Sequence, residues 1–533
     1  MPYFKLLDST TIVLAIQIAT ASVIAYAVSR AIYNRCFHPY SRFPGPLLAS
    51  ISDLWYFWRV RHGLAGHNDL LLHERYGSLV RITPGQIMIS DPAAIETIYG
   101  PANVFPKAEF YSGFDPSIGP RAGNFEERDE AKHSVRRRIV APLYTQASIL
   151  QFEPCVDRLI ALFYERMELL AEAKVEFDMS AWLRKYTFDV VGDIFYGRQG
   201  GFGFIRDNID YNNWCALMVT MPSLSSAITY ISKPLRPIVF AAEMIYPSTR
   251  VGARGFFEVI TQSHKAVKQR LQERATQESK PKNDVLNRLL DLVNTSPDRK
   301  QHWTELDVTA EIWTMIWAGS DTTAIALTSI FYHLHKNPSA LENLRNEIDQ
   351  AFAEGRLTYP LRFGACIKLP YLHAVVREAM RMHSSLGLGL PRVVPPGGEI
   401  ICGQFFPEGQ GVIMNACVIN FNTNIFGEDA DRFIPERWMR NGVEKANEME
   451  RHMLQFGYGP RICIGKHITN VEMYKLLPTI LRDFEFFGLE EKTWKVFGGW
   501  FHHQSGVDVR VRRRRPRDEN TTVEIPEGKW REA

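Results

Sequence analysis

The chain has 533 residues, of which 45% are hydrophobic and 12% aromatic, enough to bury a sizeable core in one large domain or in several smaller ones. Its 62 Lys and Arg residues and 59 Asp and Glu residues leave a formal net charge of +3, which is too small to indicate a nucleic-acid partner. The sequence shows neither an internal repeat nor a long low-complexity tract, so solenoid and repeat folds are excluded.

An uncharged stretch lies close to the start of the chain, from Ser9 to Ser29. A helix of about 20 apolar residues is long enough to cross a bilayer, so this stretch predicts a transmembrane anchor. A cleaved signal peptide is the alternative, but only Lys5 precedes the stretch and Asp8 offsets its charge. Arg30 and Arg35 follow the stretch, and this excess of positive charge predicts that the bulk of the chain faces the cytoplasm.

A proline-rich segment comes next, and a polar segment ends the chain. Proline fixes the backbone angle φ and lacks an N–H donor, so Phe43-Pro44-Gly45-Pro46 should form a stiff, non-helical spacer. The sequence after Arg515 is polar and is predicted to be disordered. We therefore divide the chain into a membrane anchor (1–34), a proline-rich hinge (35–46), a large central domain (47–515) and a polar tail (516–533).

Helical patterns dominate the part between the hinge and the tail. Short strands with β-branched residues near Gly or Pro are predicted at 79–90, 397–406 and 411–416. Helices are predicted at 126–141, 150–174, 183–195, 255–277, 306–335, 339–353 and 371–382. Strands flanking a large helical body indicate an α+β fold in which helix predominates.

The helix predicted at 306–335 has no proline and is apolar around much of its circumference, so it should be buried. Small residues at Ala318 and Gly319 would let a large group approach its backbone. Asp321 and Thr322 follow, and polar side chains in a buried helix are unfavourable unless they are used. Thr322 could bond to the carbonyl four residues earlier and kink the helix. The segment is then either a proton relay or a polar kink without chemistry.

The seven cysteines are Cys36, Cys155, Cys215, Cys366, Cys402, Cys417 and Cys463. Their odd number and wide spacing argue against a disulfide framework or a zinc site and favour a reducing compartment.

Cys463 differs from the other cysteines in its local sequence, because it lies in a glycine-rich loop directly before a helical pattern. Backbone N–H groups at the start of that helix could stabilise a thiolate, the axial ligand that haem iron needs for oxygen activation. Phe456 could shield the sulfur from water, and Arg461 could pair with a haem propionate. The alternative is a buried structural cysteine.

Phe456, Gly459, Arg461, Cys463 and Gly465 fill the pattern F-x-x-G-x-R-x-C-x-G. This pattern resembles the haem-binding signature of the cytochrome P450 family at every fixed position. The segment 318–323, AGSDTT, resembles the family's A-G-x-D/E-T-T motif. A Glu-Arg-Arg triad behind the haem is similarly matched by Glu378, Arg381 and Arg437. The resemblance covers essentially the whole chain and implies a cytochrome P450 fold, with a long central helix over the haem and small flanking sheets.

The resemblance implies a role for each matched residue. Cys463 would ligate the iron of haem b, and Asp321 and Thr322 would deliver protons. The propionates would be held by Arg461, His133, Arg137 and Arg392. The chain departs from the common pattern in having His133 where most members have Trp, and Phe421-Asn422 where a His-Arg pair is common.

The implied enzyme is a monooxygenase that inserts one oxygen atom from O2 into a bulky apolar small molecule. The sequence as a whole resembles fungal enzymes that modify specialised metabolites. Electrons would come from NADPH through a separate cytochrome P450 reductase, with cytochrome b5 as a further candidate donor, since this chain has no flavin- or NADPH-binding region. The expected location is the endoplasmic reticulum membrane, with a single span and a cytoplasmic catalytic domain. The charges of Lys132, Arg136 and Arg138 are candidates for docking the reductase.

The resemblance further implies a substrate pocket lined by segments at 104–125, 215–250, 313–317, 386–390 and 498–503, which are rich in aromatic and apolar residues. One alternative is a haem-thiolate enzyme that forms rings or rearranges its substrate without net hydroxylation. Another is a haem protein without catalysis, a sensor or carrier. Thr322 argues against family members that isomerise or dehydrate peroxides, because these often lack this alcohol. The Asp321-Thr322 pair and the aromatic pocket segments argue against a sensor or carrier.

Overall fold

The computed structural model describes residues 9–102, 104–115, 123–276, 282–295, 303–489 and 493–514. The predicted tail at 516–533 lies outside these ranges. Numbered in chain order, the α-helices are α1 Ser9–Ile32, α2 Leu47–Ile51, α3 Leu54–Arg61, α4 Asp69–Tyr76, α5 Ala94–Tyr99, α6 Glu130–Val140, α7 Gln146–Leu150, α8 Glu153–Ala173, α9 Met179–Tyr196, α10 Phe204–Asp207, α11 Trp214–Ile228, α12 Arg236–Glu243, α13 Pro247–Thr276, α14 Val285–Thr295, α15 Glu305–Met315, α16 Asp321–Lys336, α17 Pro338–Ala353, α18 Phe363–Cys366, α19 Pro370–Met382, α20 Ala416–Ile419, α21 Thr423–Phe426, α22 Arg437–Arg440, α23 Gly442–His452 and α24 Lys466–Asp483.

Small sheets flank this helical body, as expected for the predicted α+β class. The strands are β1 Leu79–Thr83, β2 Gln86–Ile89, β3 Phe177–Asp178, β4 Arg392–Val393, β5 Glu399–Ile401, β6 Gln404–Phe406, β7 Gly411–Ile413, β8 Phe484–Phe487, β9 Lys495–Phe497, β10 His503–Ser505 and β11 Asp508–Arg513. The largest sheet has the order β1-β2-β7-β4, in which β2 and β7 are parallel and the other neighbours are antiparallel. The strand segment predicted at 79–90 is thus a hairpin, and so is the one at 397–406.

The N-terminal helix α1 continues into a π-helical turn at Tyr33–Phe37. Residues 13–37 are long and apolar enough to cross a membrane. The most apolar stretch of this helix is not buried against the rest of the described chain, whereas Asn34 near its end is buried. The proline-rich segment that follows is non-helical, as predicted, and it packs on the body of the protein. The ring of Phe43 stacks on Phe406, and the carbonyl of Pro44 accepts a 2.7 Å hydrogen bond from the Arg81 N–H.

The long helix predicted at 306–335 runs through the core as α15, a π-helical turn at Ile316–Ser320, and α16. Its start is fixed by a capping box, in which the Thr304 hydroxyl and the Asp307 carboxylate each accept a backbone N–H of the other residue. Helix α9, almost entirely buried, packs along both α16 and the π-helical turn. The predicted kink is therefore present, in the form of a π-turn at the small residues.

The predicted triad of Glu378, Arg381 and Arg437 forms as a buried ion cluster. Glu378 receives hydrogen bonds from Arg381 at 2.7 and 2.9 Å and from Arg437 at 2.8 Å. Arg381 also donates to the backbone carbonyls of Asn420 and Ala430. Through these contacts α19 is tied to the irregular chain before α22, which leads to the cysteine loop.

Candidate active site

A cavity of about 250 Å³ opens between the long helix and the loop that precedes α24. Seven of the residues selected from the sequence line it: Thr322, Phe456, Cys463, His133, Arg137, Arg392 and Arg461. Residues far apart in the sequence therefore line the same cavity. Asp321 does not line the cavity.

The cysteine loop holds Cys463 at one wall of the cavity. The Cys463 N–H bonds to the Phe456 carbonyl at 2.8 Å, and a short 3-10 turn at Gly459–Arg461 closes the loop between them. Gly459 has φ +62°, and a Cβ there would lie 2.0 Å from the Tyr99 carbonyl oxygen, so glycine is required. The surface of the thiol that remains open faces the cavity.

Two opposing influences act on the Cys463 thiol. Burial raises its pKa, while the backbone N–H of Gly465, the charge of Arg137 and the N–H of Lys466 favour the thiolate. The two N–H groups belong to the N-terminal turn of α24, as the sequence predicted. Arg137 reaches the same loop by donating to the Ile462 carbonyl at 2.8 Å. Burial has the larger effect, so the pKa of the thiol is raised overall, and these groups would stabilise a thiolate once a metal cation binds on the cavity side.

The part of the cavity lined by Arg137, Arg392, Arg461 and Lys107 is strongly basic. Burial and these four cations lower the pKa of His133 to about 3, so its imidazole is neutral. Arg461 pairs with Glu130 through Nε at 3.0 Å, but its buried Nη1 has no hydrogen-bond partner among the described residues. Unpaired buried cations are unfavourable, and two carboxylates would offset them. The propionates of a haem supply two carboxylates, so these residues fit that cofactor, with Cys463 as the iron ligand.

The opposite wall is the π-turn of the long helix. The Thr322 hydroxyl donates to the Ala318 carbonyl at 2.7 Å, the bond predicted from the sequence, and Thr322 lines the cavity. Ala318 and Gly319 line it as well, so the backbone is open to a large neighbour at this level.

Asp321 is fully buried on the other side of the same helix. Its oxygens lie 3.0 Å from Arg184 Nε and 3.1 Å from His503 Nε2, although neither contact is aligned as a hydrogen bond. Burial lowers the pKa of His503, against the opposing effect of Asp321. Asp321 is therefore a paired carboxylate next in sequence to the cavity residue Thr322.

The position of Arg136 differs from the one predicted from the sequence. The sequence groups it with Lys132 and Arg138 as a candidate for reductase docking, but its guanidinium turns inward and binds Asp307 at 2.9 Å, with Glu311 at 3.6 Å. Lys132 and Arg138 are exposed. The helix α6 therefore places Arg136 and its neighbour Arg137 in two different buried environments.

The remaining lining is mostly aromatic and draws on each of the five predicted segments. It includes Phe114, Phe125, Ser225, Trp313, Trp317, Leu386, Leu390, Trp500 and Phe501. The sequence did not reveal the role of two charged lining residues, Lys107 and Glu126. Lys107 is tied in by a β-bridge to Arg392, and Glu126 belongs to a charged stretch that looks solvent-exposed in the sequence.

A cysteine loop facing a bulged buried helix, with a basic region for two carboxylates, defines a haem-thiolate protein of predominantly helical α+β fold.

The sequence model of the cytochrome P450 family matches residues 50–500, and the chain belongs to this family. It is 35% identical to the cytochrome P450 monooxygenase gsfF of Penicillium aethiopicum, over 94% of this chain and 99% of the relative. It is 34% identical to a pisatin demethylase of Fusarium vanettenii, over 91% of each chain. It is also 37% identical to the cytochrome P450 monooxygenase ACRTS1 of Alternaria alternata, over 71% of this chain and 99% of the relative. The protein is thus a haem-dependent oxidoreductase that incorporates oxygen from O2.

Proposed function

We propose that this monooxygenase oxidises a bulky, ring-containing apolar small molecule of specialised metabolism. The observation that carries the proposal is the single cavity in which Cys463 and Thr322 share their space with an aromatic wall of Phe114, Trp313 and Trp500. Large aromatic surfaces recognise planar or polycyclic ligands. One relative is named for the demethylation of pisatin, so demethylation belongs with hydroxylation and epoxidation among the reactions to be tested.

The haem, when bound, supplies the activation of dioxygen through its thiolate-ligated iron. The chain supplies the surroundings of that group. Cys463 presents its sulfur to the cavity, and the N–H groups of Gly465 and Lys466 offset the negative charge. Arg137, Arg392 and Arg461 line the basic end of the cavity, where they would hold the carboxylates of that group.

Thr322 is the residue that we propose to pass protons into the cavity, at its Oγ1 atom. Asp321 precedes it and is held by Arg184 and His503, so it would act from behind the helix rather than from the cavity. The substitution Thr322→Ala should lower product formed per NADPH and increase release of hydrogen peroxide, because a proton donor is removed. Thr328→Ala is the matched control, since Thr328 makes the same 2.7 Å bond to Ala324 but lies outside the cavity.

The same variant separates this function from the alternative of ring formation or rearrangement without net hydroxylation. A rearrangement that needs no proton delivery would proceed at the wild-type rate in Thr322→Ala. Unchanged coupling in that variant would therefore contradict the proposed role of Thr322 and favour the alternative.

The carbon monoxide difference spectrum of the reduced protein tests the ligand directly. We expect a strongly red-shifted Soret band that disappears in Cys463→Ala, while Cys417→Ala, which changes a buried cysteine outside the cavity, retains it. Persistence of the red-shifted band in Cys463→Ala would show that another residue ligates the iron.

We further propose a single-pass anchor in the endoplasmic reticulum membrane, with the catalytic part in the cytoplasm. The apolar helix at residues 13–37, whose most apolar stretch is not buried, supports it. Deletion of residues 1–32 should move the protein to the soluble fraction. This deletion keeps Asn34, whose carbonyl accepts a 2.8 Å bond from buried Arg81. A truncated protein that still sediments with membranes would require a second membrane contact.

Electrons are proposed to come from NADPH through a separate reductase, with cytochrome b5 as a candidate second donor. Lys132 and Arg138 are the exposed cations of α6, the helix that also carries Arg137. Reversing both charges should slow reduction and leave the haem content unchanged, because long-range attraction speeds association. Lys265→Glu, on the exposed face of α13, is the control. Equal reduction rates in both variants would argue against this docking surface.

A further inference from the structure

Glu126 is a buried carboxyl group that lines the cavity, and the proposed cofactor binding and proton delivery do not use it. It lines the cavity and is only 4% exposed, and its Oε2 atom has no hydrogen-bond partner among the described residues. Burial raises its pKa to about 7, with Lys107 acting in the opposite direction. A buried carboxyl group whose oxygen lacks a hydrogen-bond partner destabilises the folded protein. Such groups are often found where a protein binds a ligand.

Glu311, an acidic group close to Glu126, is paired through one of its oxygens, while its buried Oε2 atom has no hydrogen-bond partner among the described residues. Glu311 accepts a 3.1 Å bond from Asn124 and lies 3.6 Å from Arg136 Nε. Lys107, the nearest cation by its electrostatic effect, donates instead to the Phe125 carbonyl at 2.5 Å and lies over the ring of Tyr111. Among the described residues no donor reaches Glu126 Oε2, and this side chain lines the cavity.

A second acceptor stands beside Glu126. A Cβ placed on Gly123 would lie 2.6 Å from Glu126 Oε2 and 3.2 Å from Thr314 Oγ1, so both oxygens border the same point. The Thr314 hydroxyl uses its proton on the Ala310 carbonyl at 2.8 Å, which leaves its oxygen free to accept. Both groups line the cavity. The pair presents lone pairs to which a ligand in the cavity can donate a hydrogen.

Aromatic rings form the surface around this pair. Trp313 and Trp317 lie 5.6 Å apart between ring centroids, and Phe256 meets both of them edge to face. Such rings accept flat aromatic ligands and also the face-on approach of an ammonium group.

We propose that Glu126 and Thr314 form a recognition subsite that selects ring-containing substrates carrying a hydrogen-bond donor, a hydroxyl or a protonated amine. The inference rests on the proposed monooxygenase function and names the polar feature of its substrate. A donor bound at Oε2 also favours the ionised carboxylate, which would make the contact a charge-assisted one.

The test is a titration of the haem-loaded protein with two matched pairs of probes, followed both by the Soret shift and by the rise in unfolding temperature. The first pair is 2-naphthol and 2-methoxynaphthalene. The second pair is N,N-dimethyl-1-naphthylmethylamine and 1-isobutylnaphthalene. Wild-type protein should bind at least one donor-bearing probe about tenfold to a hundredfold more tightly than its partner, the usual effect of a hydrogen bond to a charged group.

Two variants assign that preference to Glu126. Glu126→Met keeps the length but removes the acceptor, so it should lose the preference within both pairs. Glu126→Gln keeps a carbonyl acceptor, so it should retain a preference for the hydroxyl and lose one for the ammonium, which distinguishes the two donors. The proposal is overturned if Glu126→Met keeps the wild-type preference, or if neither donor-bearing probe binds wild-type protein more tightly than its partner.

Two readouts distinguish a failure of this subsite from a failure of the monooxygenase function. Glu126→Met should unfold at the same or a higher temperature than wild type, and a clear decrease would assign Glu126 a structural role and overturn the proposal. Loss of the thiolate band in the carbon monoxide spectrum would refute the monooxygenase function instead. The thermal titration reports on Glu126 whether or not that band is present.

Discussion

Replacing Glu378 by Gln should destabilise the protein far more than an ordinary change of charge. The carboxylate of Glu378 is fully buried and accepts five hydrogen bonds of 2.7 to 2.9 Å, from Arg381 (two), Arg437, Ile434 and Trp438. Gln keeps the shape of the side chain but removes the charge, and it turns an NH2 group toward donors.

The size of the effect follows from burial. Arg381 is 0% and Arg437 6% exposed at the side chain, so neither guanidinium can recover its hydration when Glu378 is neutral. Breaking a buried ion pair from one side costs about 3–5 kcal/mol. Arg381 pairs with no other carboxylate among the described residues, whereas Arg437 keeps Asp429 Oδ1 at 2.7 Å. We therefore expect a loss in the free energy of unfolding of about 3–5 kcal/mol, mainly from Arg381.

Glu450→Gln is the matched control. Glu450 also pairs with an arginine, Arg377, but the two side chains are 38% and 20% exposed, and a pair in contact with solvent contributes about 0–1 kcal/mol. The assay is unfolding in urea followed by circular dichroism, with haem content measured on the same samples. A loss for Glu378→Gln no larger than that for Glu450→Gln would refute the reasoning.

Three further results are expected. The Glu126→Gln variant should be more stable than wild type by about 3 kcal/mol above pH 7 and equally stable below about pH 4.5. The reason is that the folded-state pKa of Glu126 is raised from 4.5 to about 7, so wild type loses stability as pH rises through that range. A pH-independent difference between the two proteins in denaturant unfolding would count against this prediction. Tyr99→Phe removes the hydroxyl that accepts the Met414 N–H at 3.1 Å, and it should cost about 1–3 kcal/mol in the same assay; no measurable loss would mean that water replaces the hydroxyl. Gly459→Ala should reduce haem retention, because its Cβ would meet a carbonyl oxygen at 2.0 Å. Gly457→Ala is the control: Gly457 has φ +73° and its Cβ would meet nothing nearer than 3.7 Å, so the substitution should lower the free energy of unfolding by only about 1–2 kcal/mol. Similar haem retention in the two variants would contradict this prediction.

The features of the site that could be predicted from the sequence depend on residues close together in the chain. The cysteine loop could be predicted because its glycines, its arginine and Cys463 stand within ten residues and leave the backbone few choices. The bond from Thr322 to Ala318 could be predicted because a hydroxyl four residues along a helix reaches that carbonyl. Both predictions use distances along the chain that local geometry fixes.

Side-chain direction was harder to predict. Asp321 and Thr322 are adjacent, but successive residues point about 100° apart around a helix, so one faces Arg184 and the other the cavity. Arg136 looks like a surface cation beside Arg137, and only the packing of α6 against α15 shows that it binds buried acids. Glu126 has charged neighbours in the sequence, and its burial depends on contacts with distant segments.

The π-turn at Ile316–Ser320 also bears on how this enzyme could change its substrate range. Along an ordinary helix, every fourth residue drifts by about 40° per step, so a row at that spacing soon leaves one face. The wider turn reduces this drift, and Thr314, Ala318, Thr322 and Ala326 all border the same cavity. Single substitutions at Thr314, Ala318 and Ala326 would reshape different levels of the cavity without shifting the helix or removing the Thr322 hydroxyl. A deletion within the turn would rotate one half of the row against the other, so new specificities should arise here by point mutation rather than by changes in length.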